Sequence, residues 1–152
     1  MKSFSLEIVT PDHVFYTGAA ESLTLYTPSG KMGVLCSHEP FVAPLIPGEI
    51  TVGIDGTERI SVCTGGFLEV LGEQVYIFVQ SIEWLEDIDE PRAREALERA
   101  KRHLKQAEKD NNIYEIRRHI WALERAEIRL RALKNKTEST APEDKNGGGN
   151  ET

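Results

Sequence analysis

The hydrophobic period of this sequence changes once, near Ile88, and the change divides the chain into two structural classes. Before it, short segments alternate apolar and polar residues, as Phe4, Leu6 and Ile8 do among their neighbours. A period of two indicates strands with one buried face. After Ile88, apolar residues recur every three or four positions, which is the period of an amphipathic helix. The sequence therefore predicts an N-terminal β domain followed by helices.

Turn signals in the first half predict β-hairpins. Asp55-Gly56 and Gly72-Glu73 each separate two alternating segments, and Asp-Gly in that position is a strong hairpin signal. Further Pro and Gly breaks come at the short intervals typical of sandwich folds. We expect an antiparallel β-sandwich over residues 1–87.

The second half contains two helical patterns separated by a polar break at 109–112. Asp89 is a capping residue for the first pattern, and Pro91 is tolerated in the first turn because its missing N–H has no helical partner there. So short a connection makes the helices antiparallel neighbours. We expect a hairpin over residues 88–134 whose alanine-rich seam buries little apolar area, so that it opens at modest cost.

Charge is unevenly distributed along the chain. Residues 1–89 carry a net charge of −10, residues 90–136 carry +6 and residues 137–152 carry −3. Two halves of opposite charge indicate different partners. The segment 135–152 has three consecutive glycines and no apolar residue larger than alanine, which predicts a disordered acidic tail.

Composition excludes several functional classes. No apolar run approaches the roughly 18 residues of a membrane span, and no signal segment opens the sequence, so we expect a cytosolic protein without membrane insertion. Cys36 and Cys63 lack metal-ligand spacing and are interpreted as buried free thiols. The low isoelectric point, about 5.2, and the interspersed glutamates argue against nucleic-acid binding.

No catalytic or metal motif is present in the sequence. Ser37-His38-Glu39 contains hydrolase residue types, but three adjacent residues cannot place a base on a nucleophile while an acid orients that base. The glycine pair Gly65-Gly66 lacks dinucleotide-binding spacing. We expect no enzyme activity and no metal site. The other histidines have no partner at ligand spacing and are interpreted as isolated surface residues: His13, His103 and His119.

Arginines in the predicted hairpin form one candidate site. Folding the chain about Asn111 brings Arg92 opposite the second helix, where Arg125 and Arg129 lie one turn apart. Three guanidinium groups beside Asp89 at a helix N-terminus suit a polyphosphate. The alternative, an ordinary helix cap and a solvated charged face, stays open at this stage.

Several segments resemble a known family when taken in order. Residues 88–93 match the nucleotide motif Ile/Leu-Asp-x-x-Arg-Ala, and the resemblance extends from the first strand to about Lys134. It is to the epsilon subunit of bacterial F-type ATP synthases. The other matching segments are Thr27–Leu35, His38-x-Pro40, Leu45–Ile50, Gly65–Val70 and Ala122–Leu130.

The resemblance implies a non-catalytic subunit of the central stalk. The sandwich is expected to bind the gamma subunit and the membrane c-ring, with Lys31 and His38 at the ring, on the cytoplasmic face of the membrane. The helices are expected to regulate hydrolysis by reaching the alpha and beta subunits when extended. No cofactor is obligatory, and regulatory ATP is expected at Asp89, Arg92 and the two helix-2 arginines. A stand-alone ATP-responsive sensor with the same fold is the alternative.

Overall fold

The computed structural model describes residues 2–140, which form ten strands, a 3₁₀ turn and two helices. The strands are β1 (Phe4–Val9), β2 (Val14–Ala20), β3 (Ser22–Thr27), β4 (Gly30–Leu35), β5 (Phe41–Leu45), β6 (Gly48–Ile54), β7 (Thr57–Cys63), β8 (Gly66–Leu71), β9 (Gln74–Val79) and β10 (Ile82–Trp84). The 3₁₀ turn is Leu85–Asp87, and the helices are α1 (Glu90–Lys109) and α2 (Ile113–Thr140).

The strands form two five-stranded sheets that enclose one apolar core. One sheet has the order β2-β1-β9-β8-β5 and the other β10-β7-β6-β3-β4. The predicted β-sandwich followed by a helical hairpin is confirmed, although β1 pairs with β9 in parallel rather than antiparallel. The largest fully buried side chains are aliphatic and come from both sheets: Leu6, Ile8, Leu23, Leu25, Ile50, Leu68 and Ile77.

Both predicted hairpins are present. In the β6–β7 turn, Asp55 and Gly56 adopt φ values of 50° and 75°, and such paired positive values match the twist of the flanking strands. The Glu21 carboxylate also accepts a hydrogen bond of 3.1 Å from the Gly56 N–H. Gly72, with φ 65°, turns the chain between β8 and β9. Local turn chemistry therefore accounts for both pairings.

The helices form an antiparallel pair with a seam of small side chains. The Asp89 carboxylate caps α1 by accepting the Arg92 N–H at 3.1 Å, as predicted. Asn111 reverses the chain with φ 51°, and the Asn112 side chain accepts the Glu115 N–H at 3.2 Å in the first turn of α2. Neither described helix has an apolar stretch suited to crossing a membrane. The buried residues of the two helices are all alanines: Ala93, Ala100, Ala107, Ala126 and Ala132.

The hairpin lies on the sandwich through a small separate cluster. Ala132 of α2 packs with Val62 of β7 and Leu85 of the 3₁₀ turn, and four partly buried apolar residues pack against them: Ile60, Ile88, Ile128 and Leu133. Arg129 forms an ion pair with Glu83 of β10 in the same region. No helical residue belongs to the main core of the sandwich. The two parts of the described chain therefore have distinct cores, with the change of structure at Ile88 and Asp89.

The prediction of a disordered tail from residue 135 is wrong for residues 135–140, because α2 continues to Thr140. Polar side chains sustain this last segment. Lys134 lies 3.9 Å from Glu138, one turn on, and the Thr137 hydroxyl donates to the Leu133 carbonyl at 3.1 Å. Composition alone pointed to disorder, but contacts between residues four apart support a helix without an apolar face. The rest of the predicted tail, 141–152, lies outside the described residues.

The two thiols differ in burial. Cys63 is buried, which raises the pKa of its thiol because burial disfavours the thiolate. Cys36 is only partly buried, and its Sγ lies 3.4 Å from the Ser3 carbonyl oxygen. The prediction of buried thiols is therefore confirmed for Cys63 and wrong for Cys36, which follows an edge strand rather than a central one.

Candidate functional site

Two cavities lie next to each other along the inner side of the hairpin. The first, of about 260 Å³, includes Glu83, Asp89, Arg92 and Arg129 in its lining. The second, of about 340 Å³, is called the arginine cavity here. Its lining consists of Ser81, Ala96, Arg99, Ala100, His103, His119, Ala122, Arg125 and Arg129. Arg129 and Ala96 line both cavities, so the two are direct neighbours.

Three of the four predicted nucleotide residues meet at the first cavity. Asp89, Arg92 and Arg129 all line it, whereas Arg125 lines the arginine cavity and not the first one. The Asp89 carboxylate is already engaged as the helix cap. The first turn of α1 offers its positive end to an anion here, but Glu83, Asp87 and Asp89 add negative charge to the same cavity. This end of the site suits a polar, uncharged part of a ligand.

The arginine cavity has the stronger positive charge. Arg99, Arg125 and Arg129 line it with two histidines, and no carboxylate belongs to its lining. Guanidinium groups bind phosphate oxygens with paired, charge-assisted hydrogen bonds. An anionic ligand is therefore favoured in the arginine cavity, beside the mixed charges of the first cavity.

Arg129 is shared between the ligand cavities and the packing of the hairpin. Its side chain is 31% exposed and pairs with the Glu83 carboxylate, which is 34% exposed. A ligand anion in either cavity competes with Glu83 for this guanidinium, or joins it in a three-part cluster. Occupancy of the cavities is thereby connected to the contact that holds α2 on β10.

Sequence reasoning missed Glu83 and Arg99. Arg99 lies seven residues after Arg92, on the same face of α1, so helical spacing alone could have found it. Glu83 gave no such signal, because β10 reaches the cavity only through the tertiary packing of the hairpin on the sandwich.

The interpretation of His103 and His119 as isolated residues is wrong. Their rings face each other across the two helices with centroids 5.1 Å apart in an edge-to-face arrangement. His119 also lies 3.2 Å from the Glu115 carboxylate, and its side chain is 18% exposed. The register of the helix pair, which spacing within one helix does not fix, brings the two rings together.

The predicted ring-contact residues lie on one edge of the sandwich. Strand β4 is an edge strand of its sheet, with Lys31 exposed near its start and His38 exposed just after its end. The His38 ring packs on Phe41, with centroids 4.8 Å apart. Leu35, between the two, is 63% exposed. Basic and apolar groups therefore alternate along an unpaired sheet edge.

The outer surface of the other sheet carries an exposed apolar area, called the apolar sheet face here. The Phe67 and Phe78 rings stack with centroids 4.9 Å apart, and Tyr76 continues the row at 6.3 Å from Phe78. Val42 and Leu71 flank the rings and are 67% and 49% exposed. Contiguous exposed apolar surface of this kind marks a protein–protein contact.

A second exposed surface runs along α2 and is called the aromatic strip here: Ile113, Tyr114, Arg117 and Trp121. The three apolar members are 75%, 80% and 64% exposed. Tyrosine, tryptophan and arginine are the residue types that contribute most to binding at protein interfaces. The strip lies on the helix away from the buried alanine seam and is open while the hairpin is docked.

The sequence matches two family models that together span most of the chain. Residues 3–85 match the beta-sandwich domain of the ATP synthase Delta/Epsilon chain, and residues 86–134 match its long alpha-helix domain. The epsilon chain of Clostridium novyi is 39% identical over 130 residues, which is 85% of this chain and 96% of that protein. The epsilon chain of Bacillus velezensis is 40% identical over 130 residues, 86% and 96% of the two chains.

A solved structure has the same architecture. A chain in the Euglena gracilis mitochondrial ATP synthase superposes with a TM-score of 0.73 and 28% identity, covering 86% of this chain and 81% of that one. A chain of the Tetrahymena thermophila mitochondrial ATP synthase central stalk and ring aligns with a TM-score of 0.54 at 14% identity, which is a likeness of fold alone.

Proposed function

The chain belongs to the ATP synthase delta/epsilon family, and on that premise we propose that it is a non-catalytic regulator and coupling subunit of the central stalk. The sandwich binds the rotating shaft and the membrane ring, while the hairpin regulates ATP hydrolysis by the catalytic head. The subunit is peripheral and lies on the cytoplasmic face of the membrane.

The apolar sheet face is the proposed contact for the gamma shaft. Its stacked rings, Phe67 with Phe78, offer a rigid aromatic surface that costs little conformational entropy to bind. Glu69 pairs across the strands with Tyr76 on this face and adds one negative charge. The proposed partner surface is therefore mainly apolar, with a basic residue opposite Glu69.

The β4 edge is the proposed contact for the c-ring. Lys31 and His38 lie at opposite ends of this edge, with Leu35 exposed between them. An unpaired edge strand also offers backbone hydrogen-bonding groups to a partner. A ring loop with acidic and apolar residues fits this arrangement.

The hairpin is the proposed regulatory part, and the weakness of its docking on the sandwich is the observation that carries this proposal. The buried part of the docking cluster is only Ala132 with Val62 and Leu85, and the larger side chains packed against it stay partly exposed, as does the pair of Glu83 and Arg129. These larger side chains are Ile60, Ile88, Ile128 and Leu133. Small apolar contacts and exposed ion pairs contribute little each. The docked and extended states are therefore close enough in energy for a partner or ligand to choose between them.

The alpha and beta subunits are the proposed partners of the extended hairpin. The segment 90–136 carries a net charge of +6, and the aromatic strip adds Tyr114 and Trp121 as exposed anchors. Charge steers such an encounter toward acidic surfaces, and buried aromatic anchors hold the contact. Acidic loops of the catalytic head fit both requirements.

ATP is the proposed ligand of the two cavities. The polyphosphate occupies the arginine cavity, where Arg99, Arg125 and Arg129 converge, and the nucleoside extends toward Asp89 and Arg92. Because the ligand contacts both helices, it stabilises the closed hairpin and opposes extension. ATP is thus a regulatory ligand rather than a substrate.

Deletion of residues 89–152 tests the main proposal in a reconstituted synthase. The truncated chain is expected to assemble with gamma and the ring, because the apolar sheet face and the β4 edge remain. ATP hydrolysis is expected to rise by a few-fold as the inhibitory hairpin is lost. Retained assembly with unchanged hydrolysis would contradict the regulatory role, and lost assembly would contradict the division of roles between the two parts.

A stand-alone ATP-responsive sensor with the same fold is the second candidate function, favoured by the grouping of Arg99, Arg125 and Arg129 around one cavity. The two candidates differ in affinity for gamma. In a binding assay with purified gamma, the stalk subunit is expected to form a stoichiometric complex that Phe67→Asp abolishes. Leu35→Asp, which replaces an exposed apolar residue of the other sheet, is the matched control. ATP binding without affinity for gamma would favour the sensor.

A further inference from the structure

We propose that His103 and His119 extend the anion site of the arginine cavity and make nucleotide binding there tighter as pH falls. The inference rests on the proposed nucleotide function. It adds two binding residues and a proton dependence that the arginines alone do not supply, because a guanidinium stays charged throughout the physiological range.

The position of the pair carries the first step. Both imidazoles line the arginine cavity together with Arg99 and Arg125. They come from different helices and meet with ring centroids 5.1 Å apart. His103 is exposed at the opening of the cavity, while His119 is mostly covered. A polyphosphate that reaches Arg99 and Arg125 therefore lies beside both rings.

The surrounding charges decide what protonation does. The Glu115 carboxylate lies 3.2 Å from the His119 ring, and the two form an ion pair when that ring is protonated. His103 takes part in none of the ion pairs within residues 2–140, and the charged residues that line the arginine cavity with it are arginines. Among the described residues, the sandwich contributes only the uncharged Ser81 to the surroundings of the pair. The charged groups that face the pair come from both helices: Arg99 and Asp110 from α1, and Glu115, Arg118, Arg125 and Arg129 from α2.

A bound anion favours a proton on both rings of the pair. Two imidazolium rings at this separation repel each other and the neighbouring guanidinium groups. A phosphate beside the pair offsets this repulsion and can accept a charge-assisted hydrogen bond from each ring. Binding of the anion and binding of the proton on His103 are thus mutually reinforcing, so the affinity for the anion rises as pH falls.

The proposed change in ATP affinity falls in the pH range in which histidine ordinarily changes charge. Histidine is the side chain that ordinarily changes charge between about pH 5 and 8. At the higher end of this pH range histidine is neutral, and the arginines alone hold the anionic ligand. Mild acidification strengthens the closed, ligand-bound hairpin, which in the proposed function corresponds to the form that does not obstruct the catalytic head.

Calorimetric titration with ATP at about pH 6 and about pH 8 tests the proposal, since that interval brackets histidine titration. For each protein the dissociation constant at about pH 8 is divided by that at about pH 6. This ratio is expected to be roughly threefold to tenfold larger for the wild type than for the double variant His103→Gln, His119→Gln. His13→Gln is the matched control: His13 lies outside both cavities, bonded to Thr10, and this variant keeps the wild-type ratio. Titration of the ATP phosphates affects all three proteins equally.

A second measurement keeps the test independent of the absolute affinity. Titrations near pH 6.5, the usual midpoint of histidine, in buffers of different ionisation enthalpy give the number of protons taken up with ATP. The wild type is expected to take up more protons than the double variant, whose helicity is checked by circular dichroism. Equal uptake and equal pH ratios would overturn the histidine inference alone. Absence of ATP binding to the wild type at both pH values would overturn it together with the proposed nucleotide site.

Discussion

The sandwich and the hairpin bury side chains of different size, and this difference separates a rigid part of the molecule from a movable one. The sandwich core is made of Leu, Ile and Val side chains that are fully inaccessible. In the helices, alanines alone are fully buried. Burial of a leucine or isoleucine contributes about 1.5–3 kcal/mol, and a methyl group contributes much less. The hairpin can therefore undock or open at a free energy that leaves the sandwich intact.

Truncation inside the sandwich core gives the largest expected effect. Leu68→Ala removes a fully buried side chain of β8 and is expected to lower the free energy of unfolding by about 2–5 kcal/mol. The matched control is Leu71→Ala on the same strand, where the side chain is 49% exposed, so the expected loss is under about 1 kcal/mol. Urea denaturation followed by circular dichroism measures both. Equal losses would remove the contrast between core and surface on which the comparison rests.

Overfilling the docking cluster tests whether the hairpin leaves the sandwich before the sandwich unfolds. Ala132→Leu inserts a larger side chain against Val62 and Leu85, and overpacking costs about 1–3 kcal/mol. We expect undocking to relieve this cost, so that amides of the 3₁₀ turn and α2 exchange faster while sandwich amides keep their protection.

The control for this experiment is Arg131→Leu, which places the same side chain on the exposed side of the same turn of α2. It is expected to leave the exchange of docking-region amides unchanged. Faster exchange throughout the sandwich in Ala132→Leu would mean that the two parts unfold as one unit.

Much of the fold could be predicted from sequence because its determinants are local. Asp55-Gly56 fixes a hairpin through the φ values of two residues, and Asp89 fixes the start of α1 through a single hydrogen bond. The parallel pairing of β1 with β9 left no such signal, since the two strands are far apart in sequence. The end of α2 was placed too early because composition does not register contacts between Lys134 and Glu138.

The candidate site was only partly predictable for the same reason. Helical spacing placed Arg125 and Arg129 one turn apart and could have added Arg99. It could not supply Glu83, which reaches Arg129 from a strand. Nor could it show that His103 faces another histidine, because that contact depends on how the two helices align along their alanine seam.

Loss of the helix cap tests the hinge between the two parts and has a smaller expected effect. Asp89→Ala removes the acceptor of the Arg92 N–H and is expected to cost about 1 kcal/mol of helix stability. Amide exchange in the first turn of α1 should accelerate, while β10 stays protected. Asp110→Ala at the other end of α1 is the control, since removing a carboxylate near a helix C-terminus is neutral or slightly favourable. Acceleration confined to the Asp110 variant would contradict the assignment of Asp89 as the cap.

Removal of the charge that holds Arg129 has the smallest expected effect and separates docking from local helix stability. Glu83→Gln keeps the size of the side chain but loses the ion pair with Arg129. Because both groups are about one-third exposed, solvent screening limits the expected loss of docking free energy to about 0.5–1 kcal/mol. Glu90→Gln, which removes the exposed pair with Arg94 within α1, is the control and should not change docking. Exchange of α2 amides near Arg129 measures both variants.

Since Glu83 also competes with a phosphate for Arg129, the Glu83 variant is expected to bind ATP more tightly while docking less firmly. If Glu83→Gln weakened both ATP binding and the docking of the hairpin, Glu83 would be shown to hold the cavity open rather than to compete for Arg129.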